Sequence, residues 1–155
     1  MFKSVKKSVT STIAKAMVLI LSLSIATTSF AIITLASSLN DAEAVNVAGS
    51  MRMQSYRLAH DIQIMSVDYA AHIEMFERSI YSPSMKALQS WTVPEDITHD
   101  YYRLIIRWHE LKEVLGSHDR ERYLILVAGF VNQIDAFVFK LQSFSEQKLL
   151  SLIHI

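Results

Sequence analysis

The chain has no cysteine, so a disulfide framework, a thiolate metal site and a c-type haem attachment are all excluded. Glycine and proline are nearly as scarce, three and two in 155 residues. The tight turns of an all-β sandwich or barrel draw on those residues, and collagen-like or wholly disordered sequence draws on them even more. A mostly helical protein is what remains. Gly-rich phosphate loops and Ser/His/Asp arrangements are also missing, and the six histidines form no HExxH or His-x3-His pattern. No enzymatic activity, nucleotide site, metal or other cofactor is therefore expected of these residues.

An excess of one charge is lacking overall, with 15 basic and 15 acidic side chains, but the balance is an average over two unlike parts. Residues 1–36 hold Lys3, Lys6, Lys7 and Lys15 and no acid, a charge of +4; residues 37–155 hold 11 basic and 15 acidic groups, a charge of −4. This asymmetry points to a lipid bilayer and away from nucleic acid.

From Ala16 to Ala36 no side chain is charged. At 1.5 Å per residue the run spans roughly 32 Å, enough for the hydrocarbon core of a membrane. It exceeds the h-region of a signal peptide, and helix-compatible sequence continues past it to Ser66, so an uncleaved anchor is expected. Lysines precede the span and Asp41 and Glu43 follow it, which places residues 1–15 in the cytoplasm and those from 37 outside. In a Gram-negative cell the outside is the periplasm.

Beyond the span the apolar residues keep a helical period. Ile97, Tyr101, Leu104, Trp108, Leu111 and Leu115 form one stripe; Tyr123, Val127, Phe130, Ile134, Phe137, Leu141 and Phe144 form another; Tyr69, Ile73, Phe76 and Ile80 form a shorter third. The segment Ser37 to Ser66 supplies a fourth helix. Ser82-Pro83 should break the short helix, Thr92 and Glu95 can form a capping box, Gly116 suits a left-handed helix end, and Ser117 or Asp119 can cap the last helix. Short connections make neighbours antiparallel. The expected fold is all-α, an antiparallel up-down four-helix bundle over residues 37–147, continuous with the transmembrane helix 16–36. Residues 148–155 would begin a second span. Their final Leu-Ser-Leu-Ile-His-Ile reads as the translation of a transposon end used in sequencing libraries, so Leu150 to Ile155 are expected to be partly or wholly foreign and the natural chain to continue.

The segment Ala42–Leu58, AEAVNVAGSMRMQSYRL, differs from the rest of the external part. Between Glu43 and Arg57 its only charge is Arg52, whose helical neighbours Ala48, Gly49, Ser55 and Tyr56 include no acid. Arg57 has Asp61 four residues on and should pair with it, a structural role. Arg52 falls on the stripe Val45, Ala48, Arg52, Ser55, Ala59, Ile62, while Val47, Met51, Leu58 and Met65 compete for the core. A partly buried guanidinium without a counter-ion is costly, and a planar oxyanion matching its fork would relieve that cost. Gly49, one turn earlier, opens room beside it at an expense of about 1 kcal/mol relative to alanine. The residues alone leave two readings open: an anion site, or a small-residue helix contact with Arg52 reaching to water.

The stretch Leu35–Leu58, LASSLNDAEAVNVAGSMRMQSYRL, resembles the periplasmic box of the NarQ/NarX-type nitrate/nitrite sensor histidine kinases, with the NarQ branch the nearer. More loosely, Ser82-Pro83, Val93-Pro94-Glu95 and Val131-Asn132-Gln133-Ile134-Asp135 resemble it too. The resemblance implies an inner-membrane homodimer binding nitrate or nitrite at its interface, with Arg52 contacting the anion from both subunits and the backbone around Gly49 nearby. Ala48 and Met53 are expected to belong to that anion-binding set with Arg52 and Gly49; Asn40 and Met51 depart from the family's usual residues. It also implies a response regulator as partner through a cytoplasmic kinase part that these residues do not include. Two other classes stand beside it: the sensor bundle of a methyl-accepting chemotaxis-type receptor, and a non-sensory membrane-anchored interaction bundle.

Overall fold

The computed structural model describes residues 2–117 and 119–153, and the side chains of residues 9–117 and 119–151. Its elements are α1 (Phe2–Ile64), α2 (Tyr69–Ile80), α3 (Pro83–Lys86), a 3-10 turn (Ala87–Gln89), α4 (Glu95–Gly116) and α5 (Arg120–Ile153), with no strand among the described residues. The chain divides into two compact units, one ending at Ser37 and the other starting at Ser38. The first is one apolar helix, long enough to cross a membrane, whose large side chains are exposed, Leu19, Leu21, Phe30 and Ile33 among them.

The second unit is an up-down bundle, and its cross-helix bonds define the directions. Asp41 of α1 pairs with Lys148 of α5 at 2.6 Å, and Arg52 with Asp135 at 3.0 Å, so one helix rises as the other descends. Asp61 and Gln54 of α1 reach His72 and Ser79 of α2, again antiparallel. Glu77 of α2 takes Lys112 of α4 at 2.6 Å, and the Tyr101 hydroxyl of α4 donates to the Ile80 carbonyl at 2.8 Å. Lys140 of α5 closes the ring on Asp100 and Asp96 of α4.

The expected stripes form the core. All six residues of the α4 stripe are buried, as are Tyr123, Val127, Phe130, Ile134, Phe137 and Leu141 of α5; Phe76 and Ile80 of α2 are buried, with Tyr69 and Ile73 half-buried beside them. Trp108, Phe76 and Phe130 pack ring to ring from three helices, with centroids 4.2, 5.8 and 6.5 Å apart. Truncating a buried tryptophan of this kind to alanine costs about 3–5 kcal/mol. Burial pushes the Tyr101 hydroxyl up to about 12. On α1 the buried seam is Ala44, Ala48, Met51, Ser55, Leu58 and Ile62, a path between the two stripes that the sequence offered.

Helix ends depart from expectation at two places. The Thr92–Glu95 capping box does not form: Pro94 is the N-cap in extended conformation (ψ 138°), and Thr92 bonds Ser90 instead. A residue before proline is kept out of the α region, so Val93 cannot be a first helical residue. Gly116 stays helical, with no positive φ, and the cap is an ordinary right-handed Ser117. The other signals act as read. Ser82 accepts from the Met85 amide over Pro83, and Asp119 accepts from the Arg122 amide at 3.1 Å. The left-handed residue is Met65 (φ 53°), which ends α1 while the Ser66 amide donates back to the Asp61 carbonyl at 2.9 Å.

Met65→Gly should raise stability by about 0.5 kcal/mol, since the left-handed penalty of a Cβ outweighs the extra freedom of an unfolded glycine; thermal melts in detergent would read it. The Lys112 ammonium holds the Glu77 carboxyl below its ordinary 4.5. A lowered folded value means stability that is present above the unfolded value and lost as pH falls through the folded one. Wild type should therefore lose stability below pH 4.5 more steeply than Glu77→Gln, which acid titration of both melts would test.

Candidate functional site

Arg52 projects from α1 beside the junction with α5. Its side chain is 51% exposed and its Nη1 donates to Asp135 Oδ1 at 3.0 Å. The sequence expectation of a partly buried guanidinium without a counter-ion is therefore corrected: the acid is absent from its own helix but arrives from the facing one. An exposed pair of this kind contributes only about 0–1 kcal/mol, so a competing anion can displace it.

The pair lies in an open groove of about 550 Å³ between α1 and α5. Val45, Gly49 and Arg52 form one wall; Asp135, Val138 and Phe139 form the other. A Cβ built at Gly49 would meet nothing within 4 Å. Packing within this chain thus gives no reason for a helix-weakening glycine there, and the space beside it is free for a second chain or a ligand. Phe139 is 72% exposed on the opposite wall, an apolar ring left uncovered.

Of the residues singled out from sequence, Gly49 and Arg52 share the groove. Ala48 is fully buried at the seam and Met53 is exposed, and neither lines the groove. The Arg57–Asp61 pair is corrected as well. Asp61 turns inward, where its buried carboxylate bonds His72 Nδ1 of α2, and Arg57 stands exposed. The physical reason is that Asp61 neighbours Ile62 and Leu58 on the buried side of α1, out of reach of an arginine facing water.

Asp135 is the partner of Arg52 that spacing within one helix does not reveal, although the sequence carries a signal for it. It is the only charged residue between Arg122 and Lys140, just as Arg52 is the only one between Glu43 and Arg57. Two isolated, opposite charges on otherwise neutral helix faces are the mark of a cross-helix pair.

The described residues combine a membrane-length apolar helix with an antiparallel helical bundle that carries a basic side chain in an open groove. The chain belongs to the family described as the N-terminal part of the type IV pili methyl-accepting chemotaxis transducer, whose model matches residues 33–130. It is 43% identical over 151 residues to the nitrate/nitrite sensor protein NarQ of Escherichia coli, a match covering 97% of this chain and 27% of that protein. To the sensor protein NarQ homolog of Haemophilus influenzae it is 33% identical over 144 residues, 92% of this chain and 25% of that one. The chain thus spans about a quarter of the length of these curated relatives, and the resemblance seen in the Leu35–Leu58 box extends through nearly all of it.

Asp61→Ala should cost about 1–3 kcal/mol, because it removes a buried bond and strands His72, whereas Arg57→Ala should stay within about 0.5 kcal/mol of wild type. Chemical denaturation of both variants would check the contrast; equal losses would overturn the assignment of Asp61 to His72.

Proposed function

We propose that this chain is the nitrate/nitrite-sensing module of a two-component membrane sensor histidine kinase. Residues 1–15 are cytoplasmic, 16–36 span the inner membrane, 37–147 form the periplasmic sensor, and the return span begins at about 148, with Leu150–Ile155 belonging to it only so far as they are native. The module works as a homodimer. A cytoplasmic kinase part, with a response regulator as its partner, supplies the output, and the residues present here have no catalytic role. The observation that carries this reading is Arg52 half-exposed on the groove beside Gly49, in a chain 43% identical over 97% of its length to the sensor NarQ.

The chemistry supports it. In this chain the Arg52 fork already holds one oxygen of a planar oxyanion, the Asp135 carboxylate. Nitrate and nitrite have the same planar arrangement of oxygens, and a guanidinium donates to such groups in pairs. One fork in water holds a monovalent anion weakly. Two forks brought together by a second copy, across helix faces kept close by Gly49, hold it in a drier and less polarisable setting. The anion relieves the repulsion between the two arginines and takes them from Asp135, so the α1–α5 contact loosens when the α1–α1′ contact tightens. Ala48 supports the site from within the core, and Met53 lies on the exposed face where the second copy would pack.

A second reading is favoured by the family description itself: the same sensor module can precede the output part of a methyl-accepting chemotaxis-type receptor. The type of output part encoded in the same gene discriminates the two.

Calorimetric titration of nitrate into the detergent-solubilised chain tests the site. Arg52→Ala removes a charge-assisted bond from each side of the symmetric site, about 1.5–3 kcal/mol each, so affinity should fall at least about a hundredfold. Arg52→Lys keeps the charge but not the fork and should also bind much more weakly than wild type. Asp135→Asn removes the competitor and should tighten binding by up to about fivefold, the equivalent of an exposed ion pair. Unchanged affinity in Arg52→Ala would refute the site, and weaker binding in Asp135→Asn would refute the competition.

A further inference from the structure

Trp91 is 95% exposed, in the turn between the 3-10 helix and α4. The other tryptophan, Trp108, is fully buried. An indole left almost wholly in water forfeits the burial that makes the residue useful, so its surroundings need an account.

Cross-element bonds set the place of this turn in the bundle. The Thr98 hydroxyl of α4 donates to the Leu88 carbonyl at 2.8 Å, which sets the 3-10 turn level with the first turn of α4. Lys140 of α5 reaches Asp96 and Asp100 at that same level. From there α5 descends eight residues, roughly 12 Å, to Lys148, which pairs with Asp41. Ser90, Trp91 and Thr92 join that 3-10 turn to the start of α4, the end of the helix nearer Asp41. Asp41 follows the apolar run by only five positions along the chain. Trp91 is therefore at the same end of the bundle as Asp41.

The charge pattern of the segment is the second observation. The second unit is acidic, yet between Arg78 and Glu95 the only charged side chain is Lys86, and it is exposed. No carboxylate in this stretch would resist a phosphate-bearing surface. An aromatic ring with a polar N–H and a neighbouring lysine is the composition found at the headgroup level of membrane proteins.

We propose that the Lys86–Pro94 segment docks on the outer face of the membrane, with the Trp91 indole at the headgroup boundary and the Lys86 ammonium on lipid phosphates. The occupant is the lipid surface, and the docked segment would be an attachment of the sensor to the bilayer additional to its apolar helix. This rests on the reading that residues 16–36 cross the membrane, while the site of anion binding is irrelevant to it.

The test uses the 155-residue chain reconstituted in phosphatidylcholine–phosphatidylglycerol vesicles, with the acyl chains brominated near the headgroup end or left plain. Flotation with the vesicles reports the membrane anchor. The Trp91 emission is obtained as wild type minus Trp91→Phe, a substitution at an exposed site that leaves the core intact. Bromination should quench the Trp91 component at least about twofold more than the Trp108 emission remaining in Trp91→Phe. Val67, 98% exposed in the turn between α1 and α2 at the opposite end, provides the control. Val67→Trp combined with Trp91→Phe should show no added quenching. A chain that floats but whose Trp91 is quenched no more than Trp108 overturns the docking while leaving the anchor intact, and so does a blue-shifted but unquenched Trp91, which would mean a protein partner. Equal quenching at both ends also overturns it, since the bundle would then lie flat on the bilayer. A chain that does not float overturns both the docking and the anchor.

Discussion

Trp108 is held between Phe76 and Phe130, 4.2 and 6.5 Å away between ring centroids, and the register of three helices follows from that stack. Rings of this size cannot slide by a fraction of a turn without opening a void, and voids in a close-packed interior are costly. With α2, α4 and α5 tied in this way, the polar pairs fall into place around the rings: Glu77 meets Lys112, Tyr101 meets the end of α2, and Lys140 meets Asp96 and Asp100.

Helix α1 joins the bundle on different terms. It contributes no aromatic ring to the core; its buried seam is Ala44, Ala48, Met51, Ser55, Leu58 and Ile62. Three of these six seam residues are small and bury little area each, so the side-chain pairs at the edges of α1, Asp41–Lys148, Arg52–Asp135, Gln54–Ser79 and Asp61–His72, add to what Met51, Leu58 and Ile62 hold. Of the two pairs that bind α1 to α5, the one at Asp41 is largely buried and the one at Arg52 is half in water. In the function proposed here, the ligand acts at the weaker of the two. The strong pair and the aromatic stack stay as a frame against which the change at Arg52 can register.

Much of this was legible in the residues. The stripes on α2, α4 and α5 repeat at 3 and 4 over long segments, and a pattern so regular leaves one helical face to bury, which is the face observed. The Ser82-Pro83 break and the Asp119 cap are local, one-turn interactions and act as their chemistry suggests. Two of the departures share a cause. The Thr92–Glu95 box and the Arg57–Asp61 pair were judged by spacing within one helix. The first ignored the backbone restriction that Pro94 imposes on Val93, and the second ignored a competitor, His72, on another helix. On α1 the alternation of small and apolar residues allowed two stripes, and only the packing of three other helices selected the path between them.

The isolation of Arg52 and Asp135, each the only charge on a long neutral stretch, is a property of sequence alone, and so are the apolar run and the charge asymmetry about it. Periodicity and composition determine these because they depend on neighbours within a turn or two. That the two isolated charges meet, 83 positions apart, is a decision of the tertiary structure. The same holds for the open space beside Gly49 and for the height of Trp91 in the bundle. Each of these depends on how far one helix has slid along another, and that offset is set by the summed packing of the core rather than by any local signal.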